Sequence, residues 1–414
     1  MTTSPYPRRF STVRLFVLTV LVGSGILAGP SPFTPSQVGA AEPVEDLLAE
    51  VFAKELPSSV ESLMAQFRRE RKYKVADFPL EPDAFRRFQK EVVSGWTSAL
   101  GLQEWVVRKP AEGKRSPIAD KFKNRIVKRL TLKSGVRLEA HVIEILGTGD
   151  QVPVVLCLPP KDKAKDAKDN RRPGVVCLPG HGSHGLRDLV FDREGYQRAI
   201  AVRLAEAGFA AVAVEKVDSG YLSRSAPSGV DEEAITSFRL GLGKDTTRAI
   251  QLMAALAATE ILALHPEVDE TRIGATGVSL GGWLAIQTAL LSDRIGAVAE
   301  YATKTVFLGD DIKPEDFTGV GDLCHIVPGS FQLGDRNILM FPYAPRPLLS
   351  GHGGPKDRHS HREYQHYYHD VQQAQYKALG KPENYRYHIH NGGHTIPSET
   401  VIQFFKEQFE FSGK

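Results

Sequence analysis

A serine flanked by glycines, in the segment GVSLGG at 277–282, constrains the fold of this chain more than any other feature. A short apolar strand-like run precedes it, and a helix-like run rich in Ala and Leu, 283–291, follows it. A turn this tight leaves no room for side chains two residues before and after the serine, which explains Gly277 and Gly281. The helix also aims its first N–H groups at the serine, where negative charge would develop. The pattern predicts a nucleophile elbow carrying Ser279, and the alternative is a glycine-flanked serine in a surface turn.

Composition narrows the class of protein. The chain has 414 residues, of which 42% are hydrophobic and 24% charged, so it can bury a large globular core. A net charge of only +3 argues against a nucleic-acid-binding or membrane-surface protein. The three cysteines, Cys157, Cys177 and Cys324, do not cluster, which indicates neither a disulfide scaffold nor a zinc site.

Residues 1–41 have the layout of a secretory signal peptide. Three arginines lie within the first 14 residues, and the apolar run 15–28 that follows is short for a membrane span. Small residues at 38–41 offer a cleavage site. We expect a secreted or periplasmic protein without stable membrane insertion after cleavage, and an uncleaved signal that anchors the chain is the alternative.

Hydrophobic periodicity divides the remaining chain into two parts. Apolar residues at helical spacing predict a helical N-terminal extension over residues 42–115, and the change to strand-like runs predicts that residues 116–414 form the catalytic domain. This domain opens with three β-rich runs, 125–132, 137–146 and 152–158, which predict an antiparallel meander. Strands and helices then alternate, with one of the helices predicted over 195–207, and the strands are almost continuously apolar. The pattern predicts an α/β fold with a mostly parallel sheet and helices on both faces.

A serine nucleophile needs a base, and the base needs a group that orients it. His394, in the glycine-rich loop NGGHT after a strand-like run, is the candidate base. His390 is its rival, but alternation along 385–390 makes it a strand residue. Asp357, in the glycine-rich turn GHGGPKD, is the candidate acid, and a helix-capping aspartate is the alternative. The order Ser279, Asp357, His394 is that of an elbow-type triad.

The oxyanion of a tetrahedral intermediate needs two N–H donors. The backbone of Leu280, the residue after the nucleophile, supplies one by geometry. The loop PGHGSHG at 179–185 has three glycines, which allow its backbone to approach the substrate, and we assign the second donor to His181. An ordinary glycine-rich strand-to-helix turn is the alternative.

Several other histidines could suggest a metal. They are His359, His361, His366 and His369. Their spacing puts only the last two close together on a helix and no acidic ligand pattern accompanies them, so a solvated helix is favoured. The serine chemistry requires no metal and no organic cofactor. His325, in the irregular insertion 303–345, could line the substrate pocket or only pack the loop.

Further motifs carry a family resemblance. They are Leu-Pro before the PGHG loop, LAEAGF at 204–209, HPEVDETRIG at 265–274, CHIVPG at 324–329 and APRPL at 344–348. With the elbow, they make the chain similar, from about Trp96 to its end, to the α/β-hydrolase superfamily. Within this superfamily, the chain most resembles the branch of dienelactone-hydrolase-like and acetyl-xylan-esterase-like proteins. The nucleophile here is serine, not the cysteine of true dienelactone hydrolases, so that activity is not implied.

The resemblance implies an eight-stranded α/β-hydrolase sheet in the order 1-2-4-3-5-6-7-8. Cys157 would lie on the second strand and Cys177 on the third, both as free thiols. The implied activity is that of a serine hydrolase for carboxylic esters. Export and the charged loops at 217–243 and 303–345 favour short acyl groups on a small-molecule or carbohydrate alcohol.

Two other functions remain open at this stage. A prolyl-oligopeptidase-like peptidase has the same fold, but the roughly 80 helical residues ahead of the hydrolase domain are too few for a propeller. A non-catalytic binding protein on a hydrolase scaffold would have lost a triad residue, and this chain has all three.

Overall fold

A nine-stranded sheet runs through the protein. This computed structural model describes residues 72–73, 79–108, 115–161, 171–181, 184–217, 219–222, 236–237, 240–241, 246–303, 323–334, 336–357 and 362–411. The strands are β1 (Phe122–Thr131), β2 (Arg137–Ile145), β3 (Gln151–Leu158), β4 (Arg172–Leu178), β5 (Ala210–Val214), β6 (Val268–Val278), β7 (Ile295–Tyr301), β8 (Leu348–His352) and β9 (Tyr385–Ile389). The predicted signal peptide lies outside the described residues.

The strand order is β1-β2-β3-β5-β4-β6-β7-β8-β9. β1, β2 and β3 pair antiparallel, as the predicted meander requires, β3 also pairs antiparallel with β5, and from β5 to β9 every pair is parallel. The predicted crossover is confirmed, because β5 pairs with β3 at Cys157 and with β4 at Cys177. The expected count of eight strands is corrected to nine. The meander puts three strands, not two, ahead of β4, and its outermost strand β1 is largely exposed.

Helices cover both faces of the sheet. They are α1 (Pro82–Ala99), α2 (Leu186–Val190), α3 (Ile200–Glu206), α4 (Thr247–Ala263), α5 (Leu280–Leu291), α6 (Arg362–Ala378) and α7 (Ser398–Gln408). Side chains of α1, α4, α5 and α6 join one hydrophobic core, and those of α2, α3 and α7 join the core on the other face. The arrangement is the predicted α/β architecture. Among the described residues, no helix has the length and apolar character that a bilayer crossing requires.

The helix predicted at 195–207 is shorter than expected. Arg198 and Ala199 have positive φ angles of 55° and 49°, so α3 begins only at Ile200. The preceding turn is held by Asp192, whose carboxylate accepts the N–H groups of Glu194 and Gly195 at 3.0 and 2.8 Å. A side-chain acceptor therefore replaces the first turn of the expected helix.

The N-terminal extension contributes directly to the core. α1 buries one face that includes Phe85, Phe88, Val92 and Trp96, as its helical spacing predicts. Gln89 on the same helix donates hydrogen bonds to the carbonyls of two residues ahead of β8. The domain boundaries at 41/42 and 115/116 stay predictions.

Candidate active site

Ser279 occupies a strained turn between β6 and α5. Its φ and ψ are 59° and −125°, a conformation that non-glycine residues rarely adopt. Its N–H donates to the carbonyl of Tyr301 at the end of β7, at 2.8 Å, and its side chain stays partly exposed. A strained backbone that neighbouring strands hold in place is a feature of functional sites.

The two glycines of the elbow have no room for a side chain, as expected from the sequence. A Cβ on Gly277 would lie 2.3 Å from the backbone of Gly281. A Cβ on Gly281 would lie 2.2 Å from the carbonyl oxygen of Leu178. The elbow therefore packs against the end of β4, and the steric reason inferred from the sequence holds in the structure.

Asp357 and His394 form a hydrogen-bonded pair. His394 Nδ1 lies 2.9 Å from Asp357 Oδ1, and because a carboxylate only accepts, the proton is on Nδ1. The other ring nitrogen is then an acceptor, which is the state a general base needs. The Asp357 side chain is fully buried, while the His394 side chain keeps 22% of its surface exposed. Asp357 Oδ2 also accepts the Gly353 N–H at 3.3 Å, which fixes the carboxylate within its turn.

The acid loop and the base loop touch through glycines. A Cβ on Gly353 would lie 1.7 Å from the carbonyl oxygen of Gly393, the residue before the histidine. Gly393 itself has a φ of +75°. The distance between Asp357 and His394 thus depends on a contact between two backbones.

The loop after β4 is held by a tyrosine and a glutamine. The Tyr196 hydroxyl donates to the carbonyl of His181, and its ring lies 6.1 Å from the His394 ring, nearly parallel to it. Gln197 Oε1 accepts the Gly180 N–H at 3.0 Å, so that N–H is not available to an oxyanion. These contacts bring the loop of His181 next to the loop of His394.

A buried carboxylate anchors the far end of the same loop. Glu215 accepts the N–H groups of Leu186, Lys216 and Tyr221 at 3.0, 3.1 and 3.1 Å. A Cβ on Gly185 would lie 1.8 Å from its Oε1, so only glycine fits there. Burial raises the pKa of Glu215 to about 7, although the three N–H donors favour the charged form.

The insertion ahead of β8 supplies the last neighbours. Cys324 Sγ lies 3.1 Å from His181 Nε2, and His325 Nδ1 lies 2.7 Å from a guanidinium nitrogen of Arg248 at the start of α4. Cys324 and His325 are only 2% and 7% exposed. The contacts of His325 are those of loop packing, and its role in binding substrate stays a prediction. Most of the two charged loops lies outside the described residues.

The competing histidines have other neighbours. His390 stands just beyond β9 with its ring 5.6 Å from that of Tyr301, and desolvation lowers its pKa. The hydrogen bond to Asp357 is made by His394, whose role as the base stays a prediction. His369 stacks on Tyr387 with ring centroids 4.0 Å apart, while His359, His361 and the His366 side chain lie outside the described residues.

Comparison with known proteins agrees with this architecture. Residues 165–313 match the model of the dienelactone hydrolase family. A Bacteroides fragilis protein assigned as an acetyl xylan esterase superposes with a TM-score of 0.65 at 17% identity, covering 85% of this chain and 95% of its own. A methylesterase gives a TM-score of 0.58 at 19% identity, with 84% and 68% covered. A glucuronoyl esterase of Solibacter usitatus gives 0.52 at 15%, with 78% and 92% covered.

The protein has the α/β-hydrolase fold. The resemblance seen in the sequence is confirmed in two respects: residues 165–313 match the dienelactone hydrolase family model, and the fold is shared with a protein assigned as an acetyl xylan esterase. In this fold, ligands bind beyond the carboxyl ends of the parallel strands. The residues Ser279, His181, Asp357 and His394 all follow such strand ends, those of β6, β4, β8 and β9.

Sequence reasoning missed the residues that hold this candidate site together. Tyr196, Gln197 and Glu215 carry no motif, and none of them is near the nucleophile along the chain. The one available signal was the acidic residue Glu215 directly after an apolar strand, where a glycine-rich loop leaves N–H groups that need acceptors.

Proposed function

We propose that the protein is an exported serine hydrolase that cleaves carboxylic esters by an acyl-enzyme mechanism. The observation that carries the proposal is the hydrogen-bonded pair of His394 and the buried Asp357. It stands at the same sheet edge as a serine held in the elbow conformation. Burying a carboxylate and holding a non-glycine residue at a positive φ angle are both costly to the fold, and a serine-based triad needs the two together.

In the proposed reaction, the Ser279 hydroxyl attacks the ester carbonyl carbon while His394 Nε2 accepts its proton. Asp357 stabilises the resulting imidazolium through Nδ1–H. The backbone N–H groups of Leu280 and His181 bind the oxyanion of the tetrahedral intermediate. His394 then protonates the leaving alcohol, and water, deprotonated by the same ring, releases the carboxylic acid.

The proposed substrates are carbohydrate esters or other small esters with short acyl groups. The acetyl xylan esterase and glucuronoyl esterase neighbours support this class. The charged residues of the segments 217–243 and 303–345 also support it, on the sequence-based expectation that these segments shape the pocket, because a long acyl chain against them would stay hydrated. We expect kcat/KM to fall from acetyl or butyryl to dodecanoyl esters, and a rise along that series would favour a lipase.

Turnover of p-nitrophenyl acetate and labelling by a fluorophosphonate test the nucleophile. Ser279→Ala should lose labelling and about 10³-fold or more in kcat. Ser292→Ala is the matched control, because Ser292 is buried at the opposite end of α5 and should keep both. Unchanged turnover in Ser279→Ala, or failure of the folded wild type to label, would refute the proposal. Cleavage of proline-containing peptides without ester hydrolysis would instead indicate the peptidase.

Export is proposed on the signal-like residues 1–41. Expression of the full chain in a bacterial host, followed by N-terminal sequencing of the mature protein, tests it. We expect a new N-terminus near residue 42 in the periplasmic or secreted fraction. An intact Met1 in a membrane pellet would indicate the uncleaved anchor.

A further inference from the structure

Beside the candidate active site lies a group of metal-ligating side chains. His181 Nε2 and Cys324 Sγ are 3.1 Å apart, and the rings of His181 and His325 have centroids 5.0 Å apart. Among the described residues, these are the three side chains of His, Cys, Asp or Glu whose ligand atoms lie within 4.8 Å of one another. Sequence spacing could not reveal the group, because 143 residues separate His181 from Cys324.

The donor set selects the kind of cation. A thiolate and an imidazole suit Zn²⁺ and similar thiophilic ions, whereas Mg²⁺ and Ca²⁺ prefer oxygen ligands. Tetrahedral zinc with its usual bond lengths would hold sulfur and nitrogen about 3.6 Å apart. The two atoms would therefore have to separate by only about half an ångström to admit the ion.

His325 is not available as a third ligand in the resting protein. Its Nδ1 faces the Arg248 guanidinium at 2.7 Å, and a guanidinium only donates. Nδ1 is thus the acceptor, so Nε2 carries the proton and has no lone pair for a metal. The site consequently offers two protein ligands and leaves the other positions to water, which predicts reversible binding rather than a structural zinc site.

We propose that His181 and Cys324 form an inhibitory binding site for a thiophilic divalent cation such as Zn²⁺. On binding, the Cys324 S–H bond breaks, its proton goes to water, and the thiolate sulfur bonds to the metal. Inhibition, the part that rests on the proposed function, arises because His181 supplies a backbone donor to the oxyanion. A small displacement of that loop misplaces the donor, and misplacements of about 1 Å can cost 10²-fold in rate.

Binding is tested on the metal-free full chain with Co²⁺ as the spectroscopic probe, independently of activity. We expect one equivalent to give a cobalt–thiolate charge-transfer band that Zn²⁺ removes by competition. Cys324→Ser should lose the band. Cys157→Ser is the matched control and should keep it, because Cys157 is fully buried in β3 and burial raises the pKa of its thiol. A band that survives Cys324→Ser, or a wild type without one, would overturn the site.

Two further measurements separate this inference from the proposed function. Zn²⁺ should inhibit ester hydrolysis reversibly, with chelator restoring activity, and Cys324→Ser should need at least ten-fold more Zn²⁺. If Co²⁺ binds but the protein hydrolyses no ester, the function fails and the metal site stands. If the enzyme is active and binds Co²⁺ without losing rate, the inhibitory role is refuted.

Arg248→Met should tighten Co²⁺ binding by freeing a His325 nitrogen, and weaker binding would contradict the assigned proton position.

Discussion

A single methyl group at Gly353 should separate the proposed acid from the proposed base. The Cβ of Gly353→Ala would lie 1.7 Å from the carbonyl oxygen of Gly393, whereas real Cβ atoms essentially never come closer than 3.0 Å. The two loops must therefore part by about 1.3 Å if neither backbone rearranges otherwise. Moving Asp357 and His394 apart by that amount stretches their 2.9 Å hydrogen bond beyond bonding distance.

The expected result is a fall in kcat/KM of about 10²-fold or more for p-nitrophenyl acetate, since the imidazole loses its orientation. Backbone strain does not complicate the substitution, because Gly353 has a φ of −80°. Gly296→Ala is the matched control, as the nearest atom to its added Cβ is 3.8 Å away. Thermal unfolding of both variants shows whether the domain stays folded. Wild-type kcat/KM in a folded Gly353→Ala protein would refute the role given to this contact.

Three more substitutions test separate parts of the structure. Asp357→Asn should lower kcat by about 10³- to 10⁴-fold with a normal melting temperature, measured by steady-state kinetics and calorimetry, and a loss below ten-fold would contradict its role. Burial raises the pKa of Glu215 from 4.5 to about 7, so the folded protein binds this proton more tightly than the unfolded chain does. The protonated side chain should therefore stabilise the fold by about 3 kcal/mol below pH 4.5, and this contribution should be lost as pH rises through about 7. Urea unfolding from pH 4.5 to 8 should show a smaller decline in Glu215→Gln, and parallel curves would contradict this. Glu260→Ala should cost about 3–5 kcal/mol in urea unfolding, because it removes from the buried Arg294 the buried carboxylate that lies 2.6 Å from its guanidinium, and kcat/KM should not change.

Much of the site was predictable because it is encoded locally. The Ser279 elbow follows from two glycines, four positions apart, that sterics demand, and the loops of Asp357 and His394 follow from glycines just after apolar strands. The strand and helix order, including the crossover of β5 between β3 and β4, also came from local patterns and the family resemblance. The ninth strand was missed only in the count, since its β-rich run was visible in the sequence.

What the tertiary structure alone decided is how these local pieces meet. Tyr196 bridges the loops of His181 and His394, Glu215 collects the N–H groups of Leu186, Lys216 and Tyr221, and Cys324 reaches His181 across 143 residues. No periodicity or spacing encodes such contacts, because they depend on where the sheet brings distant strand ends together. The sequence by itself determined the sharp turn at Ser279 and the α/β class. The hydrogen-bond partners of the site residues were decided by how the loops pack at the carboxyl ends of the parallel strands, because buried polar groups must find donors and acceptors wherever the fold places them.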